Sequence, residues 1–311
     1  MTSPSISSNR DAERGGVPGS TPTVPRLDHR TGQEASWWLV AAVLLAVTVL
    51  YTAIWYAVSV RWGPLFALGA ALAAATGGLV QLTLVLNLAL LLVIVVGLVG
   101  WLGGLRFADL SLTREDLRVG VVVTVGAWLT MQAVGVVSLL IQGGPVVVNG
   151  YWAAANALAV VGLLVAQLFG NALYEEVVFR AFLLDQVRHK LARYVPTLTP
   201  RQLLVVAVLV SQSAFVLVHV PSRLVEYQPA AVPGSLVMVF VMGVLLATLY
   251  VRTGNLFVAV GLHAFVNTPT MVFGSPTIGI LTAIALVVLL ATVWPWAERR
   301  VGDRARATTA A

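Results

Sequence analysis

The sequence predicts an all-α protein, a polytopic integral membrane helix bundle with about eight transmembrane helices. Hydrophobic residues make up 59% of its 311 positions, charged residues only 10%, and the mean hydropathy is +0.90. Soluble domains are about 25% charged and about 45–50% apolar, so the composition excludes an ordinary soluble globular protein. The few charges lie mainly between long apolar runs, which is typical of a chain that crosses a bilayer repeatedly.

The absence of cysteine and the placement of the cations exclude several classes of protein. A chain with no cysteine has no disulfide framework, thiol nucleophile, iron–sulfur cluster or cysteine-ligated zinc. The net charge of +6 does not indicate nucleic acid, because the Lys and Arg residues lie in loops and tails beside apolar runs. The predicted partner is therefore the lipid bilayer, and no nucleic acid is expected.

Three regions follow from the order of polar and apolar residues. Residues 1–35 are rich in Ser, Pro, Thr, Gly and Arg without an apolar run, which predicts a disordered cytosolic tail. Residues 36–300 are predicted to form the transmembrane bundle, and residues 301–311 a second disordered cytosolic tail. Most apolar runs approach or exceed the ~20 residues that cross a bilayer as a helix. These runs are residues 36–60, 82–104, 118–141, 154–184, 202–220, 234–251, 256–272 and 276–297.

The distribution of basic residues predicts the orientation. With eight crossings, sixteen of the nineteen Lys and Arg residues lie on the side of both termini, and only Arg61 and Arg223 lie on the other side. Because cytoplasmic loops are enriched in Lys and Arg, both termini are expected in the cytosol and the protein in the cell membrane. Residues 64–81, rich in Ala and Gly, leave one alternative open: an additional crossing that would move the N-terminal tail to the opposite side.

Five ionisable residues interrupt the predicted membrane helices. Glu175, Glu176 and Arg180 lie in the fourth helix, His219 in the fifth and His263 in the seventh. An ionisable group inside a membrane costs free energy, so each needs a partner or a purpose. The structural alternative is one ion pair and two hydrogen-bonded histidines. The concentration of all five on three helices favours a functional site.

Helical spacing separates the two glutamates. Glu176 and Arg180 are four residues apart on one face, in the order that favours an ion pair. Glu175 is rotated by about 100° from Glu176 and is therefore expected to remain free for chemistry. Asp185 lies near the predicted cytosolic end of this helix, where we expect a solvated acid without a function.

A free glutamate together with histidines suits hydrolysis. Glutamate can serve as a general base for water, and imidazole and amide groups can stabilise an oxyanion. Alternatively, Glu175, His219 and His263 could hold a zinc ion with one open position. The sequence contains no His-Glu-x-x-His, so no standard zincin helix supports the metal.

Three motifs resemble those of the CPBP family of CAAX proteases and bacteriocin-processing enzymes, also called Abi. The family includes type II CAAX prenyl proteases and lysostaphin-resistance-A-like proteins. The matching motifs are Glu175-Glu176-Val-Val-Phe-Arg180, Phe215-Val-Leu-Val-His219 and His263-Ala-Phe-Val-Asn267. Their order on separate membrane helices places a CPBP-like catalytic core at residues 154–272.

The resemblance implies an intramembrane protease with named roles for four residues. Glu175 would activate the attacking water, and His219 would position the water or assist. His263 and Asn267 would stabilise the oxyanion. We expect these four side chains to form a cavity toward the cytosolic side. Counted from the predicted helix ends, Glu175 and His263 lie about 10–15 Å from that side, whereas His219 lies about 25 Å from it.

The resemblance also bears on support residues and cofactors. Glu176 and Arg180 would support the site, and Phe215 shares the helix face of His219. The family is usually classed with intramembrane metalloproteases, but a metal-free glutamate mechanism is preferred here, so no cofactor is required. The alternative is a zinc ion.

The expected reaction is endopeptidase cleavage of a peptide or a membrane-anchored protein near its end. A non-catalytic membrane scaffold or regulatory protein of the same family is the first alternative. A proton-coupled transporter is the second, since buried Glu and His residues also build proton relays. The sequence shows no internal repeat of the kind that transporters often have, which disfavours the second alternative.

Overall fold

The structure, a computed structural model, describes residues 33–153 and 157–309. Within these ranges it contains helices and no strand, which confirms the predicted all-α class. Within the same ranges, nine helices of at least 12 residues carry the fold. They are α1 (Trp37–Ser59), α2 (Gly63–Thr76), α3 (Leu82–Leu102), α4 (Arg114–Ile141), α5 (Ala157–Tyr194), α6 (Pro200–Glu226), α7 (Val232–Thr253), α8 (Leu256–Asn267) and α9 (Pro276–Thr309).

Seven helices in the described ranges are long and apolar enough to cross a membrane, which confirms a polytopic helical membrane bundle. The sequence predicts about eight, and the difference lies at residues 256–272. There, α8 has only 12 residues and ends at Asn267. Thr268 is non-helical, with φ −140° and ψ 80°, because the proline at position 269 disfavours a helical conformation in the residue before it.

The short helix α8 nevertheless spans the depth of the bundle together with the non-helical residues after it. At its start, Asn255 Nδ2 donates to the Asp116 carbonyl at 2.9 Å. Beyond its end, Val272 N donates to Gln132 Oε1 at 2.8 Å. Asp116 and Gln132 are separated by about 24 Å along α4, at 1.5 Å per residue. The described part of the chain thus traverses the bundle eight times, with the seventh traverse part helix and part non-helical segment.

Helix α2 adds no traverse. The end of α3 returns to the beginning of α1, since Gly103 packs closely against Leu39. Helices α1 and α3 are therefore antiparallel, and α2 connects them at a single end of the bundle. This geometry settles the alternative left open for residues 64–81.

The two ends of the bundle differ in charge. We call the end that carries the turns 103–113, 195–199 and 254–255 the basic end, and the end that carries the α6–α7 turn the far end. The far end carries Arg61 and Arg223. The cations at the basic end are Arg106, Arg114, Arg118, Arg188, Lys190, Arg193, Arg201 and Arg252.

Helix α8 is the central helix of the bundle, in contact with α4, α5, α7 and α9. Nine of its 12 residues are buried, as expected of a helix that is apolar all round. Its close approach to α4 requires glycine at position 261, because a Cβ there would collide with Thr124. This packing fixes the position of His263, two residues further on.

The chain ends differ from the predicted tails where the structure describes them. Residues 33–35 are non-helical, and Ala35 N donates to Gln186 Oε1 at 2.6 Å. Lys190 Nζ donates to the Ala35 carbonyl at 2.7 Å, so this segment is attached to the end of α5. At the other terminus, α9 continues to Thr309, into the predicted tail. Residues 1–32 and 310–311 lie outside the described residues.

Candidate active site

Three of the predicted catalytic side chains converge from three helices. Glu175 on α5 lies with its Oε1 3.6 Å from His219 Nε2 on α6 and with its Oε2 3.5 Å from His263 Nε2 on α8. All three residues are buried, with relative exposures of 3%, 6% and 5%. The two imidazoles therefore flank one carboxylate inside the bundle.

The length of α5 explains how Glu175 and His219 meet. The predicted apolar segment ends at residue 184, whereas α5 continues to Tyr194. Glu175 lies 19 residues before Tyr194, and His219 lies 19 residues after Pro200 at the start of α6. Because α5 and α6 are antiparallel helices joined by a short turn, equal counts place the two side chains at the same height. The difference in depth counted from the predicted helix ends therefore disappears, because the predicted end of α5 is wrong.

The continuation of α5 also buries Asp185, which the sequence predicts to be solvated. Its relative exposure is 7%, and its carboxylate lies 3.0 Å from Arg188 Nη2 and 3.4 Å from His189 Nδ1. The acid therefore belongs to a local charge cluster on α5 near the basic end.

The Nδ1 partners of the two histidines determine where their hydrogens lie. His219 Nδ1 is 2.8 Å from the Phe215 carbonyl oxygen, and His263 Nδ1 is 2.7 Å from Glu176 Oε1. A carbonyl and a carboxylate oxygen only accept hydrogen bonds, so both Nδ1 atoms carry the hydrogen. The Nε2 atoms face Glu175, and in a neutral imidazole they are acceptors.

Glu176, Arg180 and Phe215 form a support layer beside the catalytic side chains. Arg180 Nη1 lies 3.3 Å from Glu176 Oε1, and both side chains are fully buried. The Arg180 guanidinium also lies over the Phe215 ring at 4.5 Å, and that ring packs edge-on against His219 with centroids 4.4 Å apart. The ion pair thus contacts His263 through Glu176 and His219 through Phe215.

Asn267 lies one helix turn beyond His263 at the end of α8, where its side chain is exposed. Its Nδ2 donates to Gln167 Oε1 at 3.0 Å. Both residues line the same cavity as Glu175, so the structure places all four predicted catalytic residues on one cavity.

That cavity has a volume of about 990 Å³, which is within the usual range for small-molecule and cofactor pockets. Its lining residues come from the far-end parts of α1, α3, α5, α6, α7 and α8. The sequence predicts a cavity toward the side of the basic residues, and the structure places it at the opposite end. The reason is again α5, whose additional residues extend the basic end away from Glu175.

Tyr51 on α1 is a site residue that the sequence motifs do not include. Its ring lies 5.5 Å from that of His219, and the residue lines the same cavity as Glu175. Its ring also lies 6.3 Å from that of Trp55. The phenolic O–H of Tyr51 is a hydrogen-bond donor beside the catalytic side chains. None of the three sequence motifs includes Tyr51, so sequence reasoning missed it. It also missed Gln167, the hydrogen-bond partner of Asn267.

Glu175, His219 and His263 are the residues that would hold a zinc ion in the alternative reading of the sequence. The two Nε2 atoms approach different oxygens of Glu175. Within the described ranges, no group of three His, Cys, Asp or Glu residues has a geometry that could hold a metal ion. We therefore derive no step through a metal.

Comparison with known proteins identifies the segment that builds this site. Residues 157–269 match the family described as type II CAAX prenyl endopeptidase Rce1-like. Neither the search of curated proteins nor that of solved structures gives a match. The matched segment contains all three motifs, and it confirms the predicted resemblance: over residues 157–269 the chain is similar to the Rce1-like type II CAAX prenyl endopeptidases.

Proposed function

We propose that this protein is an intramembrane endopeptidase in which Glu175 activates a water molecule to attack a peptide bond. Membership of the matched segment in the Rce1-like family supports a protease at the family level. The observation that carries the proposal is the buried Glu175 carboxylate between two imidazole Nε2 atoms, on the wall of a cavity. The substrate is a peptide or a membrane-anchored protein.

The first step is removal of a proton from water. The gaps of 3.6 and 3.5 Å between Glu175 and the two imidazoles are long for direct hydrogen bonds, which suits a bridging water. Glu175 accepts the proton as general base and returns it to the leaving amine nitrogen when the C–N bond of the tetrahedral intermediate breaks. His219, held through Nδ1 by the Phe215 carbonyl, presents Nε2 as an acceptor for the second hydrogen of the same water.

The second step is stabilisation of the oxyanion. His263 as imidazolium donates from Nε2 while Nδ1 is held by Glu176. This charge state also balances the buried cluster, in which His263 and Arg180 then offset Glu175 and Glu176. Asn267 retains a second amide hydrogen beyond its bond to Gln167. The Tyr51 hydroxyl is a further donor, and preorganised donors of this kind are the main source of electrostatic catalysis.

A cleavage assay with the Glu175→Gln variant tests the proposal. The purified protein in liposomes is incubated with a peptide library and with the same library carrying a lipid anchor, and products are identified by mass spectrometry. The matched control is Glu115→Gln, the same chemical change at an exposed residue on α4. Products from wild type and Glu115→Gln, and none from Glu175→Gln, are the expected result. Identical spectra from all three proteins would contradict a protease.

A further inference from the structure

The position of the cavity relative to the charged end of the bundle bears on where its substrate comes from. On α1, α5 and α6, the lining residues lie at 51–58, 167–175 and 215–227. The ranges on α1 and α6 lie at the ends of those helices nearest the far end, and the range on α5 lies in the half of that helix nearer the far end. The cavity therefore extends from Glu175 toward the far end.

Packed side chains close the site on the opposite side. All eight residues Val177–Leu184, the two helical turns of α5 that follow Glu176, are buried. Ser211 Oγ on α6 donates to the Phe179 carbonyl at 2.5 Å, which ties α5 and α6 together below the site. Further along α5, Gln186 and Lys190 are also buried, by contacts with residues 33–35. Packed side chains thus separate Glu175 from the basic end.

The charges assign the two ends to the two sides of a membrane. Sixteen of the nineteen Lys and Arg residues lie in the tails and in segments at the basic end, and the far end carries Arg61 and Arg223. An excess of Lys and Arg in short loops marks the cytoplasmic side. The basic end is therefore cytoplasmic, and the cavity lies toward the other face.

We infer that the cavity opens to the non-cytoplasmic face, so that the substrate is a peptide or the outer end of a membrane-anchored protein on that side. The substrate named here rests on the proposed protease function, whereas the side on which the cavity opens does not. The wall between Glu175 and the mouth contains flexible apolar side chains, Met238 and Met242 among them, which suit apolar residues of varied shape near the scissile bond.

The mouth of the cavity has a polar character. Arg223 Nη1 lies 2.9 Å from Glu226 Oε2 and 3.4 Å from the Tyr227 hydroxyl, and all three residues line the cavity. Arg223 follows His219 by one helix turn, so a substrate reaching His219 from this face passes the ion pair. The polar mouth and the apolar wall further in match a substrate whose polar residues lie outside an apolar stretch.

Thiol labelling tests the inference directly, because the chain has no cysteine of its own. Three single-cysteine variants are made: Gln228→Cys in the α6–α7 turn, Gly234→Cys on the cavity wall and Thr197→Cys in the turn at the basic end. Position 234 has open space for a side chain. A membrane-impermeant maleimide is added to right-side-out and to inverted vesicles, with detergent-solubilised samples as the measure of full labelling.

The expected result is labelling of Gln228→Cys and Gly234→Cys in right-side-out vesicles, with loss of that labelling in inverted ones. Thr197→Cys is expected to show the reverse. Labelling of Gly234→Cys in inverted vesicles alone would overturn the inference, as would reversed labelling at positions 228 and 197. Because labelling needs no turnover, a protein that labels as expected and cleaves nothing refutes the protease function and leaves the topology standing.

Discussion

Glu176→Gln is the substitution that separates structural support from chemistry in this site. It keeps the shape of the side chain and removes its charge. Glu176 and Arg180 are both fully buried at 3.3 Å, and the Arg180 nitrogens have no hydrogen-bond partner among the described residues. The variant therefore leaves a buried guanidinium without its carboxylate. Removal of one partner of a buried ion pair costs about 3–5 kcal/mol.

The expected change in melting temperature follows from that cost. An unfolding entropy of about 2.1 cal/mol/K per residue gives this 311-residue chain a shift of about 1.5 °C per kcal/mol, so the Tm should fall by about 5–8 °C. The assay is thermal unfolding of the detergent-purified protein, followed by tryptophan fluorescence or by a dye that does not react with thiols. Some activity should remain at low temperature, because the amide oxygen of Gln can still accept the hydrogen bond from His263 Nδ1.

Two further variants make this prediction sharp. Glu175→Gln applies the same change to the adjacent residue, which faces the two imidazoles at 3.5–3.6 Å, and should abolish cleavage with little change in Tm. The double variant Glu176→Gln/Arg180→Met removes both buried charges and should recover much of the lost stability. A wild-type Tm for Glu176→Gln, or a double variant no more stable than the single one, would refute the reasoning.

The other predictions concern a donor, a packing contact and a cofactor. Tyr51→Phe should lower kcat about 10²–10³-fold, as loss of one oxyanion donor does, with little effect on KM. Tyr56→Phe, on the exposed face of α1, is the control. Equal kcat values for the two variants would show that Tyr51 is not part of the site. Gly261→Ala should destabilise the protein by about 1–3 kcal/mol, because the added methyl group collides with Thr124. Gly126→Ala places its methyl group in open space on α4 and should not destabilise it. Denaturant or thermal unfolding of the two variants measures the difference. Exhaustive chelation of the purified enzyme should leave the cleavage rate unchanged, and a loss that zinc restores would establish a metal mechanism.

Much of the site is predictable because its signals are local. The spacing of Glu176 and Arg180 follows from helix geometry alone, and the structure contains that pair. The expectation that Glu175 projects away from Glu176 agrees with its contacts to His219 and His263. In contrast, the link between His263 and Glu176 joins residues 87 positions apart, and no spacing rule indicates it.

The errors at the helix ends have one physical origin. The sequence predicts ends from hydropathy, whereas α5 continues for ten residues as a charged helix past residue 184. Those residues are stabilised by contacts with residues 33–35 and with α6, which are tertiary. The mistaken end of α5 shifted the expected height of Glu175 and the expected side of the cavity together.

The sequence by itself determined that this chain is a membrane helix bundle and which titratable residues lie together in its candidate site. Both follow from composition and from spacing along single helices, which are properties of the chain before it packs. Only the tertiary structure decided that α8 is a short central helix, that Tyr51 joins the site and that the cavity lies at the far end. Those features depend on where each helix stops and which neighbours it contacts, because side chains from different helices meet only once the helices are packed.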